Sequence, residues 1–203
     1  MKDDFFRFPH TPHIAWLGGG APRDDKVLAP DEVADLFSGP VVVEEKLDGA
    51  NLGFSVGPDG NLRAQNRGQY LLQPHGGQFQ RLPEWMALHG SGLVESLGED
   101  LIAFGEWCAA RHSLDYPALP DWWLLFDVYD RGEGRFWSTR RRNELAETLG
   151  LATVPRLADG LQTVASLLRG VGEWRSRYRE GGLEGVVVRR EDEDWLQARG
   201  KLV

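Results

Sequence analysis

Lys46 is followed by Leu47, Asp48, Gly49, Ala50 and Asn51, and it ends the run Pro40-Val41-Val42-Val43-Glu44-Glu45. A lysine therefore stands where an apolar strand meets a tight glycine turn. Desolvation and neighbouring cationic charge lower an amine's pKa, and a neutral amine is a nucleophile. In an extended chain Asp48 faces the same way as Lys46, where a carboxylate orients the amine or takes part in proton transfer. Taken alone, this motif is better explained as a surface ion pair beside a turn. Downstream residues share that ambiguity one at a time. Phe126 lies in the apolar run 122–128 and reads as core. Glu106 and Glu184 read as strand-edge charges, and Arg67 as a turn residue.

The elements that carry these residues follow from pattern. Pro30-Asp31-Glu32 opens a short helix to Phe37. Strands are predicted over 41–46, 51–56 and 61–66, with turns at Asp48-Gly49 and Pro58-Asp59-Gly60. A helix is expected over 79–89, then strands over 101–107 and 122–129. Ser138 or Thr139 can cap a helix that runs to Leu149 and stops at Gly150. A strand at 151–157, helical stretches between 161 and 179, and a final hairpin of strands 183–190 and 195–203 complete the chain. Gly18-Gly19-Gly20-Ala21-Pro22 reads as a loop; without a following GK[ST] it is not a phosphate-binding P-loop. Antiparallel hairpins with helices packed outside them make an α+β fold. A turn centred on Asp59 sets Asn51 opposite Arg67, and one centred between Asp192 and Glu193 sets Glu184 opposite Lys201.

Bulk properties narrow the class. The 203 residues favour one domain, and 41% hydrophobic with 27% charged residues is ordinary for a globular core. No apolar stretch reaches a membrane span, and the first residues are too acidic for a secretion signal. The single cysteine, Cys108, excludes an internal disulfide and a cysteine-based zinc site. The cytoplasm is the default location. His10 and His13 find no further ligand to make a metal site. A net charge of −8 argues against binding nucleic acid by bulk electrostatics, though not against a local basic surface. The densest basic clusters, Arg140-Arg141-Arg142 and Arg175, Arg177, Arg179, read as solvated helix faces.

Six segments stand in one order: Lys46-Leu47-Asp48-Gly49, Asn66-Arg67-Gly68, Phe104-Gly105-Glu106-Trp107, Leu125-Phe126-Asp127-Val128-Tyr129, Glu184-Gly185-Val186-Val187-Val188-Arg189 and Arg199-Gly200-Lys201. Together they resemble the covalent nucleotidyltransferases, and most of all the ATP-dependent RNA ligases of the bacteriophage RNA ligase 2 type. The resemblance runs from about residue 40 to the end. The segment Phe8-Pro9-His10-Thr11-Pro12-His13 also looks like the leader of bacterial members. Asn51 favours an RNA ligase, since DNA ligases and capping enzymes usually carry arginine there. Arg111 and His112 look like part of the family's extended third motif.

The resemblance implies an ATP-grasp-like nucleotidyltransferase domain over 1–203, with 1–39 as leader and short helix and 40–203 as motif-bearing core. It implies that Lys46 attacks the α-phosphorus of ATP and carries AMP, with Asp48, Asn51 and Lys201 as further catalytic residues. Lys201 and Arg199 would meet the phosphates, and Glu184 would help hold Mg²⁺ or Mn²⁺. Phe126 would stack on adenine, Glu106 would accept a ribose hydroxyl, Arg67 would reach the ribose or phosphate, and Glu45 the adenine amino edge. Arg199 replaces a lysine common among relatives, which leaves the compact ammonium role to Lys201. The motif series closes at Val203, where relatives generally carry a further domain. The expectation is therefore no C-terminal OB domain, and a protein partner to supply that function. Implied partners are RNA ends bearing a 5′-phosphate and a 3′-hydroxyl, in RNA repair. The same motifs admit a DNA ligase, a guanylyltransferase, or an adenylylated RNA-end-binding subunit that needs a partner to ligate.

Overall fold

The computed structural model describes residues 5–17 and 26–203, so the glycine-rich loop at 18–22 lies outside the described residues. In chain order the elements are α1 (Pro30–Leu36), β1 (Val41–Lys46), β2 (Ala50–Val56), β3 (Leu62–Gln65), α2 (Leu82–Leu97), β4 (Leu101–Trp107), β5 (Trp123–Asp130), β6 (Arg135–Phe136), α3 (Thr139–Leu149), β7 (Arg156–Gly160), α4 (Val164–Glu173), β8 (Gly185–Glu191) and β9 (Leu196–Leu202). The fold is α+β, with two antiparallel sheets. It divides into two compact units. One holds the described residues up to Phe8 with Asp48–Asp115 and Leu119–Thr153. The other holds the described part of Pro9–Leu47 with Tyr116–Ala118 and Val154–Val203.

The first unit is built on a five-stranded sheet of order β3-β2-β4-β5-β6. Alternation sends Leu52, Phe54 and Val56 of β2 into a core with Ala103, Trp107, Trp123 and Leu125, closed by Leu82, Trp85, Leu93 and Leu97 of α2 and Ala146 of α3. The other face carries the polar residues Asn51 and Glu106 at one end. Further along it carries an aromatic cluster in which Phe8, Ile102 and Phe104 pack with Phe6, Phe126, Tyr129 and Phe136. The β2–β3 register is centred on Asp59, with Gly53 opposite Gln65 and Val56 opposite Leu62. α2 runs eight residues past the predicted His89. Its buried residues keep helical spacing through Gly90 and Gly92, and Gly92 lies where a Cβ would come 3.2 Å from Leu149 of α3. The helix stops instead at Gly98, whose φ is +53°. β6, only two residues long, carried no readable period.

The second unit is built on a four-stranded sheet of order β7-β1-β8-β9. Val41, Val43, Val186, Val188 and Leu202 line one face against Leu36 of α1, Leu167 of α4 and Ile14. Alternation puts Glu44, Lys46, Arg189, Arg199 and Lys201 on the opposite face. Residues 151–155 do not form the predicted strand: Leu151 and Val154 are buried as core, and β7 begins at Arg156. The β8–β9 register also differs, since Lys201 opposes Val187 rather than Glu184. The turn closes further along than charge patterning indicates. Asp192 N donates to Trp195 O, Asp192 Oδ1 accepts from the N–H groups of Asp194 and Trp195, and the ladder shifts between Arg190 and Glu191.

Both basic clusters depart from solvated helix faces. Arg142 on α3 is 1% exposed; its guanidinium donates to Phe126 O at 2.8 Å and to Asn143 Oδ1 at 2.7 and 3.0 Å. Arg141 lies over the Trp137 ring at 4.1 Å. Arg140 forms a surface pair with Glu144. Arg175, Arg177 and Arg179 follow the end of α4 and lie in a loop.

Candidate active site

β1 ends at Lys46, and β8 begins at Gly185, directly opposite it. Glu184, one residue before β8, is thereby set beside the lysine. The Lys46 amine donates to both Glu184 oxygens, at 2.8 Å to Oε1 and 2.7 Å to Oε2, and both side chains are 27% exposed. Gly185 also lets β8 lie close to the end of β9, because a Cβ there would overlap Leu202 O and Val203 just beyond it. Lys201 shares the face of Lys46, opposite Val187. Two strand spacings, about 10 Å, separate β1 from β9. Arg199 opposes Arg189 on the same face. Arg189 and Glu44, both 2% exposed, make a buried pair 3.9 Å apart, with Glu191 2.8 Å from Arg189 Nε. This charge network runs beside the lysine.

Glu45 is on the core side of β1 by alternation and is 1% exposed. Its Oε2 accepts from Arg177 N at 3.2 Å, and its Oε1 has no hydrogen-bond partner among the described residues. A buried carboxylate oxygen left in that state is costly, so the position is one a ligand donor would satisfy.

The boundary between the units falls inside the lysine motif, so Asp48, Gly49 and Asn51 belong with Arg67, Glu106 and Phe126. Asp48 sits in a bend beyond the end of β1, where strand alternation no longer governs facing. Its Oδ2 accepts from Ser113 Oγ at 2.5 Å and from Leu114 N at 2.8 Å. Burial pushes the Asp48 carboxyl up, but these hydrogen bonds to its charged form outweigh burial and hold it below the usual aspartate value. Ser113 gave no sequence signal, because a loop serine has no spacing to read.

Gly49 N donates to Glu106 Oε1 at 3.1 Å. A Cβ on Gly49 would lie 2.6 Å from Trp107 O and 2.9 Å from Cys108 Sγ, so only glycine lets the turn close onto β4. Asn51 lies directly opposite Glu106 in the β2–β4 ladder, and its Oδ1 is buried with no partner among the described residues. Arg67 rides a turn held by Asn66 Oδ1, which accepts from Gly68 N and Gln69 N; its buried Nε has no partner among the described residues.

Phe126 departs from a plain core role for a specific reason. The β4–β5 ladder pairs Gly105 with Leu125 and Phe104 with Asp127, which leaves Phe126 as the extra residue of a β-bulge. Bulges re-aim side chains. The ring is half-buried, 5.4 Å from Phe8 in an edge-to-face contact, and its carbonyl is held by Arg142. Phe8, read from the sequence as part of a leader, and Arg142, read as solvated, are instead supports of this ring.

The chain matches the RNA ligase family over residues 39–203 and belongs to it. Among solved structures it is similar to an RNA ligase of Naegleria gruberi with PPi (TM-score 0.67, 20% identity, 85% of this chain and 52% of that one). A variant of that ligase with ATP and Mn gives a TM-score of 0.71 at 16% identity, covering 99% of this chain and 56% of that one. A proposed ATP-dependent DNA ligase from Aquifex aeolicus gives 0.65 at 24% identity, covering 97% and 49%. At these identities the likeness is one of fold, and the chain spans about half the length of those proteins. No curated protein matches the sequence.

Proposed function

We propose that this chain is an ATP-dependent RNA ligase that serves RNA repair in the cytoplasm. The observation that carries the reading is the Lys46 amine gripped by both oxygens of Glu184 at the end of β1, within a chain of the RNA ligase family. In the first step Lys46 Nζ attacks the α-phosphorus of ATP. An N–P bond forms, the bond from the α-phosphorus to its bridging oxygen breaks, pyrophosphate leaves and the amine loses its proton. An oxygen of an RNA 5′-phosphate then attacks that phosphorus and the lysine leaves with a proton. Finally a 3′-hydroxyl attacks the RNA phosphorus and AMP departs.

Each residue has a part in this reading. Lys201 and Arg199 neutralise phosphate charge on the face they share with Lys46. Glu184 supplies a hard carboxylate for Mg²⁺ or Mn²⁺. An ion at Glu184 would take its remaining ligands from water and phosphate oxygens. Such an ion, when bound, would neutralise the charge that develops on the phosphates. Asn51 orients the reacting end through its buried oxygen, and Asp48 orders the segment around Ser113. Phe126 stacks on the base, Glu106 takes a ribose hydroxyl, and Arg67 reaches the ribose or phosphate. Glu45 offers Oε1 to the adenine amino group, from the far side of β1.

The test is joining of a 5′-phosphorylated RNA to an RNA 3′-hydroxyl with ATP and a divalent ion, beside parallel DNA strands and GTP. The reading expects ATP-dependent RNA joining that Lys46→Ala abolishes. Joining with GTP alone, or of DNA alone, would move the chain to another branch of the same chemistry. An adduct that transfers to RNA only after a second protein is added would make the chain one subunit of a ligase.

A further inference from the structure

Between α4 and β8 the chain makes a closed loop. Arg175 bridges Gly182, and Ser176 N donates to Gly181 O at 3.2 Å. Gly181 adopts φ +110°, which side-chain-bearing residues avoid. The loop is anchored rather than loose. Ser176 and Tyr178 are buried, Tyr178 N donates to Ser176 Oγ at 3.3 Å, and Tyr178 O accepts from Ala118 N at 3.1 Å. Arg179 Nη1 donates to Gly182 O at 2.6 Å and ties the tip.

This frame turns Arg175 and Arg177 out to solvent, with Arg179 half-exposed. None of the three guanidinium groups meets a carboxylate among the described residues. Elsewhere Arg140, Arg156, Arg189 and Arg190 each pair with one. In a chain with 31 acidic residues and net charge −8, three arginines against the single acid Glu180 on one short loop mark a local positive potential. Its place is set by the chain on either side: Arg177 N donates to the side chain of Glu45, on the core side of β1 next to Lys46, and Glu184, two residues past Gly182, holds the Lys46 amine.

We propose that the Arg175–Gly182 loop binds the phosphates at the 5′ end of the RNA strand. The proposal rests on the ligase reading, in which the 5′-phosphate must approach the AMP carried by Lys46. Guanidinium forks match phosphate oxygens, and phosphate contacts position a strand without reading its bases. The triphosphate tail of ATP offers the same chemistry. Small ligands, however, are mostly enclosed by their sites, and solvent-facing arginines suit a polymer lying on the surface.

Binding of a short 5′-phosphorylated single-stranded RNA is measured by fluorescence anisotropy across a salt series, for wild type and Arg175→Gln/Arg177→Gln. The double variant is expected to bind several-fold more weakly, with its salt slope reduced by about 0.7 for each arginine lost. Arg175→Lys/Arg177→Lys should keep the slope. An unchanged affinity and slope in the glutamine variant would overturn the proposal, as would a wild type with no salt-dependent RNA binding. A raised ATP requirement for self-adenylylation with RNA binding intact would also overturn it, by assigning the loop to the triphosphate. Failure of the ligase reading shows separately, as a wild type that forms no AMP adduct at all.

Discussion

At Lys46 the amine spends its hydrogen bonds on one carboxylate, and the two partners come from positions 138 residues apart. Removing Glu184 leaves a half-buried ammonium without its acceptor. Glu184→Ala should cost about 1–3 kcal/mol in thermal unfolding and lower the rate of self-adenylylation roughly 10²-fold. Asp48 makes a prediction in pH. Its folded pKa is depressed, so its hydrogen bonds with Ser113 and Leu114 contribute stability above the unfolded pKa of about 3.9, and that contribution is lost as pH falls through the lower folded value. Ser113→Ala should therefore be less stable than wild type at pH 7, with the gap closing as pH falls below the unfolded value and through the lower folded one, as read by denaturant melts at each pH. Phe126→Ala should raise the KM for ATP roughly 5- to 150-fold through lost stacking of about 1–3 kcal/mol, with less effect on the maximal rate. Residue identity was readable where local chemistry marks a type, as in a lysine at a strand end and a glycine in the turn after it; the carboxylate that meets the amine is Glu184 rather than the neighbouring Asp48. Ser113, Arg142 and Phe8 were not readable, because each acts through contacts distant in sequence that leave no periodic trace.

Among the elements, β1 ends at Lys46 just before the Asp48-Gly49 turn, β4 ends at Trp107, and α3 is bounded by Ser138, whose hydroxyl accepts from Arg141 N, and by Gly150 at φ +64°. Strong local chemistry fixed those boundaries. Strand pairing was harder. β1 and β2 flank a short turn and read as hairpin neighbours, yet they join different sheets, because each finds its partners far along the chain. The bulge at Phe126 and the β8–β9 shift share one cause: an extra residue changes register without changing the hydrophobic pattern much. Gly185→Ala tests how tightly β8 and β9 must approach. The added Cβ meets Leu202 O and Val203, so the variant should lose about 1–3 kcal/mol of stability in urea and displace the end of β9 that carries Lys201. Adenylylation should fall with it, and a variant as stable and active as wild type would show that β9 gives way freely.

On the scale of the whole molecule, two compact units each carry polar groups from the ordered motifs. The first has a half-buried aromatic ring with Glu106 and buried orphan atoms on Asn51 and Arg67. The second has Lys46, Arg199 and Lys201 on one sheet face, with Glu184 against the Lys46 amine. The α+β class and membership of the RNA ligase family agree with the ordered motifs. The sharpest test of the account is peptide mapping by mass spectrometry after incubation with ATP and Mg²⁺. One AMP should be found on the peptide that contains Lys46, and none in Lys46→Ala. An adduct on another residue, or equal labelling of Lys46→Ala, would contradict the assignment of Lys46 as the nucleophile.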